Sequence, residues 1–147
     1  MKPADLQIDM FKHHIKCPGS VCYATEGEYI YFSIDGISAF ALPANEVCID
    51  LKKLREIESL KKHFMLTKKD REVQPTGIYV QCAGCLNRKL KCDTFSVYVK
   101  KALFDRYYTG LQKLYCESPV SPVKLVSKDN RVTAIILPVR VMGDETC

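Results

Sequence analysis

The sequence predicts an α+β fold built from antiparallel sheets with two or three helices. Strand-like runs separated by turn residues fill residues 21–42 and recur after residue 76, whereas residues 50–63 and 96–108 show helical spacing of apolar side chains. The 147 residues are 47% hydrophobic and 27% charged, as in ordinary globular proteins. We therefore expect a single domain over residues 1–147, with 142–147 as a flexible tail.

The first half is expected to be a β-meander followed by a helix. Residues 6–15 fit either a strand or a helix. Strands are expected at 21–25, 29–34 and 37–42. Asp35-Gly36 predicts a type I′ hairpin turn, because glycine tolerates a positive φ. Asp50 is expected to cap a helix that runs to about His63 and exposes a basic face.

The second half is expected to contain another hairpin, a helix and three closing strands. The hairpin turns at Ala83-Gly84 and is followed by a helix from Ser96 to Tyr108. The closing strands are expected at 111–116, 123–127 and 132–141. Pro138 is expected near a strand end, because proline cannot donate to the middle of a sheet.

Several function classes lack their signatures in this sequence. No run approaches the roughly 18 apolar residues that span a bilayer, and the charged start, Met1 to Asp5, does not resemble a secretory signal. The sequence has no glycine-rich phosphate loop, Gly-x-Ser-x-Gly elbow or His-Glu-x-x-His helix. We therefore expect a soluble, cytoplasmic protein that has no catalytic residues, needs no cofactor and does not bind membranes.

The eight cysteines are expected to be reduced and mostly structural, because no export signal is visible. Cys82 and Cys85 flank a tight turn and could chelate zinc together with Cys92. A fourth ligand would have to come from Cys116 or His63 through folding. Because this ligand set is incomplete, we predict no metal site and keep these three cysteines as weak candidates.

Five segments carry a family resemblance by their order. Residues 91–103 give a strand and then a helix that bears a Tyr-Val-x-x-Ala-Leu pattern, and Ser-Pro-Val-Ser-Pro-Val follows at 118–123. The chain then runs Ala-Ile-Ile-Leu-Pro-Val-Arg-Val at 134–141, with further similarity at 28–40 and 47–54. This order resembles the bacterial DNA polymerase III β subunit, the sliding clamp, whose chains end in a similar apolar-Pro-apolar-Arg-apolar tail.

The resemblance implies a clamp-like domain that tethers a replication or repair protein to DNA without catalysis. Clamp helices meet the phosphates of double-stranded DNA through lysine and arginine without reading sequence. A net charge of +5 permits such an anionic partner. The matching basic residues here are Lys52, Lys53, Arg55, Lys62, Lys100, Lys101 and Arg106.

The resemblance also implies a groove for a short peptide from a DNA polymerase or another clamp-binding protein. The matching residues are Gly36, Ile37, Leu137, Pro138, Val139, Arg140 and Val141. An ordinary closing strand with core side chains would give residues 137–141 the same pattern.

The chain differs from the family in its size. Family chains have three such domains and this one has room for one, so a ring would need a homo-oligomer of six copies.

Two alternatives to this function stay open. One is a small regulatory or interaction module that keeps the clamp-like fold without forming a ring. The other is a zinc- or thiol-dependent protein that uses the Cys82–Cys85 hairpin.

Overall fold

The computed structural model describes residues 2–82 and 84–141, and the chain divides into two compact units, Met1–Met65 and Leu66–Cys147. Each unit combines helical segments with antiparallel strands, so the predicted α+β class is confirmed. The expected tail at 142–147 lies outside the described residues.

The amino-terminal unit begins with a helix and continues as an antiparallel meander. Its helix and strands are α1 Pro3–Lys16, β1 Cys22–Glu26, β2 Tyr29–Ser33, β3 Ser38–Pro43 and β4 Arg55–Glu56. The strands lie in the order β4-β1-β2-β3; β1, β2 and β3 pair antiparallel, and β4 pairs with β1 in parallel. The three expected strands of the meander are confirmed to within one residue at each end.

The opening segment is the helix α1 rather than a strand. Leu6 and Met10 are buried one turn apart, which fixes a single face of the helix against its unit. Gln7 is buried between them, and its side-chain amide donates to the Glu46 carbonyl oxygen at 2.8 Å. The Gln7 Oε1 atom accepts from the backbone N–H of Cys48 at 2.7 Å. These paired hydrogen bonds satisfy a carboxamide that would otherwise be costly to bury.

The predicted type I′ turn at Asp35-Gly36 is wrong. β2 ends at Ser33 and β3 begins at Ser38, so the loop has four residues rather than two. A type I′ turn needs positive φ at both central residues, but only Gly36 of this loop has one, at +76°. The Asp35 carboxylate instead accepts from the backbone N–H groups of Ile37 and Ser38, at 3.0 and 2.9 Å. Those bonds stabilise the wider loop.

The predicted helix from Asp50 to His63 is also wrong. The segment forms two short 3₁₀ turns, Leu51–Lys53 and Glu58–Phe64, on either side of β4. Asp50 does cap the first turn, because its carboxylate accepts from the Lys52 N–H at 3.1 Å.

The edge of β1 explains why this helix is interrupted. Arg55 and Glu56 are extended and pair with Cys22 and Tyr23 of β1. The Ile57 N–H then donates to the Tyr23 carbonyl oxygen at 2.8 Å. The backbone groups of residues 55–57 are therefore engaged with β1 and are not available for the hydrogen bonds of a continuous helix.

The carboxy-terminal unit places three strands before its helix and three after it. Its elements are β5 Arg71–Cys82, β6 Cys85–Lys91, β7 Ser96–Lys100, α2 Lys101–Tyr107, β8 Lys113–Cys116, β9 Val123–Val126 and β10 Val132–Ile136. The strands lie in the order β10-β9-β8-β5-β6-β7, and all of these pairs are antiparallel. The expected hairpin is confirmed, with Cys82 opposite Cys85 across its turn.

The predicted helix from Ser96 to Tyr108 is correct only from Lys101 onward. Residues 96–100 form β7, because the β-branched and aromatic residues at 97–99 suit a strand. A continuous helix over residues 97–107 is expected to bury Val99, Ala102 and Leu103; the structure buries Val99 and Leu103, whereas Ala102 is exposed. The prediction that Ala102 is buried assumed that residues 97–107 form one continuous helix, and is wrong.

The chain leaves the sheet before its last described residues. β10 ends at Ile136, five residues earlier than predicted, and Pro138 lies beyond it. The Val139 N–H donates to the Tyr98 carbonyl oxygen at 2.7 Å, which gives one isolated bridge to β7.

Candidate nucleic-acid interface

The net positive charge of the chain comes from its carboxy-terminal unit. Residues 1–65 carry 8 lysine and arginine residues against 9 aspartate and glutamate residues, a net charge of −1. Residues 66–147 carry 14 against 8, a net charge of +6. An anionic polymer is therefore attracted to the second unit.

Part of this charge is ordered by strand register. β6 and β7 pair antiparallel, and residues opposite each other in such a pair project from the same face. The pairs Asn87–Lys100, Lys89–Tyr98 and Lys91–Ser96 therefore share one face. We call Lys89, Lys91 and Lys100 the lysine face.

The helix α2 packs on the opposite face of the same strands. Arg88 pairs with Val99 in the register, and its guanidinium lies 4.9 Å from the ring centroid of Phe104 in α2. The Arg88 Nε–H also donates to the Thr76 carbonyl oxygen at 3.0 Å. Arg88 is therefore occupied in packing, whereas the lysine face points away from α2.

The lysine face is only partly open to solvent, because Asn87 and Tyr98 on the same face are buried. Lys91 is exposed, and Lys89 and Lys100 are half-buried. The Lys89 Nζ lies 6.0 Å from the ring centroid of Tyr98, a distance typical of a weak cation–π contact. Long lysine side chains on a rigid sheet can reach phosphates without contacting base edges.

The predicted DNA-binding residues of this unit are divided between the two faces. Lys100 belongs to the lysine face, whereas Lys101 and Arg106 lie on α2. Lys101 pairs with Asp105 at 2.6 Å, and this hydrogen bond raises the pKa of Lys101. Sequence reasoning missed Lys89 and Lys91, because only the register of β6 and β7 places them on the same face as Lys100.

The predicted DNA-binding residues of the amino-terminal unit do not share a helix face. They are placed on three separate elements: Lys52 and Lys53 on the first 3₁₀ turn, Arg55 on β4 and Lys62 on the second 3₁₀ turn.

Acidic side chains surround a neighbouring lysine in the same segment. Lys61 forms an ion pair with Glu58. The hydrogen bond to Glu58 raises the pKa of Lys61, and the charges of Glu26 and Glu56 add to that shift. These carboxylates weaken the attraction of this region for an anion.

Arg55 and Gly36, predicted for two different sites, lie in one cleft of the amino-terminal unit. This open cleft has a volume of about 520 Å³ and is also lined by His13, Asp35 and His63. The Arg55 Nη2 donates to the Cys22 Sγ at 3.6 Å. The cleft therefore combines both signs of charge.

The predicted partner-binding residues 137–141 lie beyond β10 in the carboxy-terminal unit. Leu137 is 40% exposed, and Val139 and Val141 are partly exposed. Residues 137–141 therefore do not form a closing strand with core side chains. Gly36 and Ile37 belong to the β2–β3 loop of the amino-terminal unit.

The candidate metal ligands are not gathered into a cluster. Within residues 2–82 and 84–141, no three histidine, cysteine, aspartate or glutamate side chains are placed to hold a metal ion. Cys85 and Cys92 are free thiols, whereas Cys82 is disulfide-bonded, so the expectation that the cysteines are reduced is wrong for Cys82. Cys92 lies in an open groove of about 770 Å³ with Arg71 and Thr94. Burial raises the pKa of Cys92, but hydrogen bonds with Thr94 outweigh it and leave the pKa below its ordinary value.

Comparison with known proteins identifies no relative. No family model matches the chain, and neither curated proteins nor solved structures give a significant match. Among the described residues, the helices are too short and too polar to cross a membrane.

Proposed function

We propose that this protein is a non-enzymatic, clamp-like tether that holds double-stranded DNA through its carboxy-terminal unit. The observation that carries the proposal is the charge distribution: a net +6 in this unit, with three lysines aligned on one sheet face. The amino-terminal unit, at −1, contributes little to the attraction.

The chemistry of the lysine face suits loose and sequence-indifferent contact. An ammonium group is a mobile point charge that pairs with phosphate without a fixed orientation. Each phosphate contact releases condensed counterions, so affinity falls steeply as salt rises. A tether that moves along DNA needs contacts of this kind, because base-specific bonds would hold it at one site.

Two further features support a clamp-like arrangement. A helix followed by three consecutive antiparallel strands occurs in each unit, as α1-β1-β2-β3 and as α2-β8-β9-β10. The resemblance to the sliding clamp covers residues 28–40 of the first segment and residues 101–103, 118–123 and 134–136 of the second. The partly exposed residues 137–141 are the proposed docking segment for a DNA polymerase or a similar protein.

Titration of duplex DNA, followed by fluorescence anisotropy at several salt concentrations, tests the proposal. The full chain should bind unrelated duplexes with equal affinity and with a negative slope of log affinity against log salt. Changing Lys89, Lys91 and Lys100 together to Gln should reduce that slope by about 2–3, because each lost phosphate contact removes about 0.9.

The amino-terminal lysines provide the matched control. Changing Lys52, Lys53 and Lys62 together to Gln removes the same charge, and it should change the slope by less than about 1 if these residues stay away from phosphates. Equal effects of the two triple variants, or strong preference for one duplex sequence, would contradict the proposal.

A further inference from the structure

α1 has a second apolar face that its own unit leaves uncovered. Ile8, Phe11 and Ile15 are 52%, 55% and 62% exposed, and Ala4 is exposed on the same stripe. Single exposed apolar residues are common on proteins, but four that follow one another along a helix form a contiguous patch. Such a patch indicates a docking surface.

The spacing of these four residues is that of a helix–helix seam. Ala4, Ile8, Phe11 and Ile15 follow one another at intervals of four, three and four residues. An alternation of three and four places side chains along one line, where they can fit between those of a facing helix. The buried residues Leu6 and Met10 lie on the other side of the helix and Gln7 lies between the two faces, so α1 can keep its own packing while a second helix docks.

Flanking charges indicate which helix would dock. Asp5 and Lys12 are exposed, and each follows a seam residue, so both lie on the same flank of the seam. When a second α1 lies antiparallel, with Ile8 of one copy facing Phe11 of the other, Asp5 comes alongside Lys12 of the second copy. Two-fold symmetry repeats this contact. In a parallel pair, this flank of one helix lies beside the opposite flank of the other, so Asp5 and Lys12 would not meet.

From this charge complementarity we propose that α1 is a self-association surface on which a second copy of the chain docks antiparallel. A helix of 14 residues is about 21 Å long. One pair of such helices buries less than the roughly 1,200–2,000 Å² of a stable interface, so the dimer is weak and forms at micromolar or higher concentration. This inference is independent of the proposed DNA binding.

Sedimentation equilibrium of the full chain, from about 1 µM to about 1 mM, tests the proposal. The weight-average mass should rise from that of a monomer toward that of a dimer. Phe11→Ser should raise the dissociation constant at least about 10-fold, because buried aromatic anchors dominate small interfaces. Leu111→Ser is the control, since Leu111 is 71% exposed and lies in the other unit.

Charge reversal tests the antiparallel orientation. Asp5→Lys and Lys12→Asp should each weaken association, because each places like charges together across the antiparallel seam. An equimolar mixture of these two variants should associate again, since the mixed pair restores both attractions. Circular dichroism confirms that each variant stays folded. A monomer at every concentration, a dimer indifferent to Phe11→Ser, or no recovery in the mixture would overturn the proposal.

Discussion

At the scale of single residues, burial sets the chemistry of the Cys116 thiol. Cys116 is fully buried, and burial raises its pKa from the ordinary 9.0 to about 11, with the Asp70 carboxylate adding to the shift. The folded chain therefore holds this proton more tightly than the unfolded chain does. The resulting stabilisation is complete below about pH 9 and is lost as the pH rises toward 11.

Denaturant unfolding at pH 8 and near pH 11 tests this prediction. Wild type should lose about 2–3 kcal/mol more stability over that interval than Cys116→Ala, in which no thiol titrates. Cys48→Ala is the control, because Cys48 is exposed. A loss of equal size in wild type and Cys116→Ala would contradict the assignment.

The second prediction at residue scale concerns a buried ion pair. The Lys124 Nζ lies 2.8 Å from the Asp70 Oδ2, and the two side chains are 10% and 2% exposed. Lys124→Met should lower the free energy of unfolding by about 3–5 kcal/mol, because it leaves the Asp70 charge buried without its counter-charge. Lys101→Met is the matched control, since its pair with Asp105 is solvent-exposed and should matter little. Similar melting curves for the two variants would contradict this prediction.

At the scale of elements, α2 is held by its buried face. Leu103 is 7% exposed and Phe104 is fully buried, whereas Ala102 faces solvent. Leu103→Ala should cost roughly 2–5 kcal/mol in unfolding free energy through lost burial and a residual cavity. Ala102→Ser should change it by less than about 0.5 kcal/mol, as exposed substitutions usually do. An unfolding midpoint unchanged by Leu103→Ala would contradict the packing of α2.

The sequence predicts strands here better than it predicts helices, for a physical reason. The alternation in residues 21–42 is a local pattern, and the meander of the amino-terminal unit follows it. The segment 50–63 has helical periodicity, but its residues 55 and 56 pair with the edge of β1. This contact joins residues that are far apart in the sequence. The β-branched residues Val97 and Val99 have a high strand propensity and favour β7, although the spacing of apolar residues there also fits a helix.

The candidate site could be predicted only in part, because it also depends on how distant segments of the chain pair. Composition shows excess positive charge, but the division between the two units requires the fold. The lysine face depends on the register of β6 and β7, and a shift of one residue would turn Lys89 to the other side.

At the scale of the whole molecule, we propose that the unit formed by residues 66–147 contacts DNA. Charge on that unit acts over about 8 Å at physiological salt, so association should slow and weaken as salt rises. The proposed self-association surface on α1 belongs to the amino-terminal unit and is tested separately.

The most direct measurement is a map of backbone amide chemical shifts while duplex DNA is added to the full chain. We expect shifts to concentrate at residues 86–91 and 96–101, around the lysine face, and to vanish when salt is raised. Shifts concentrated at residues 51–64 of the amino-terminal unit, or none at low salt in a folded sample, would contradict the proposal.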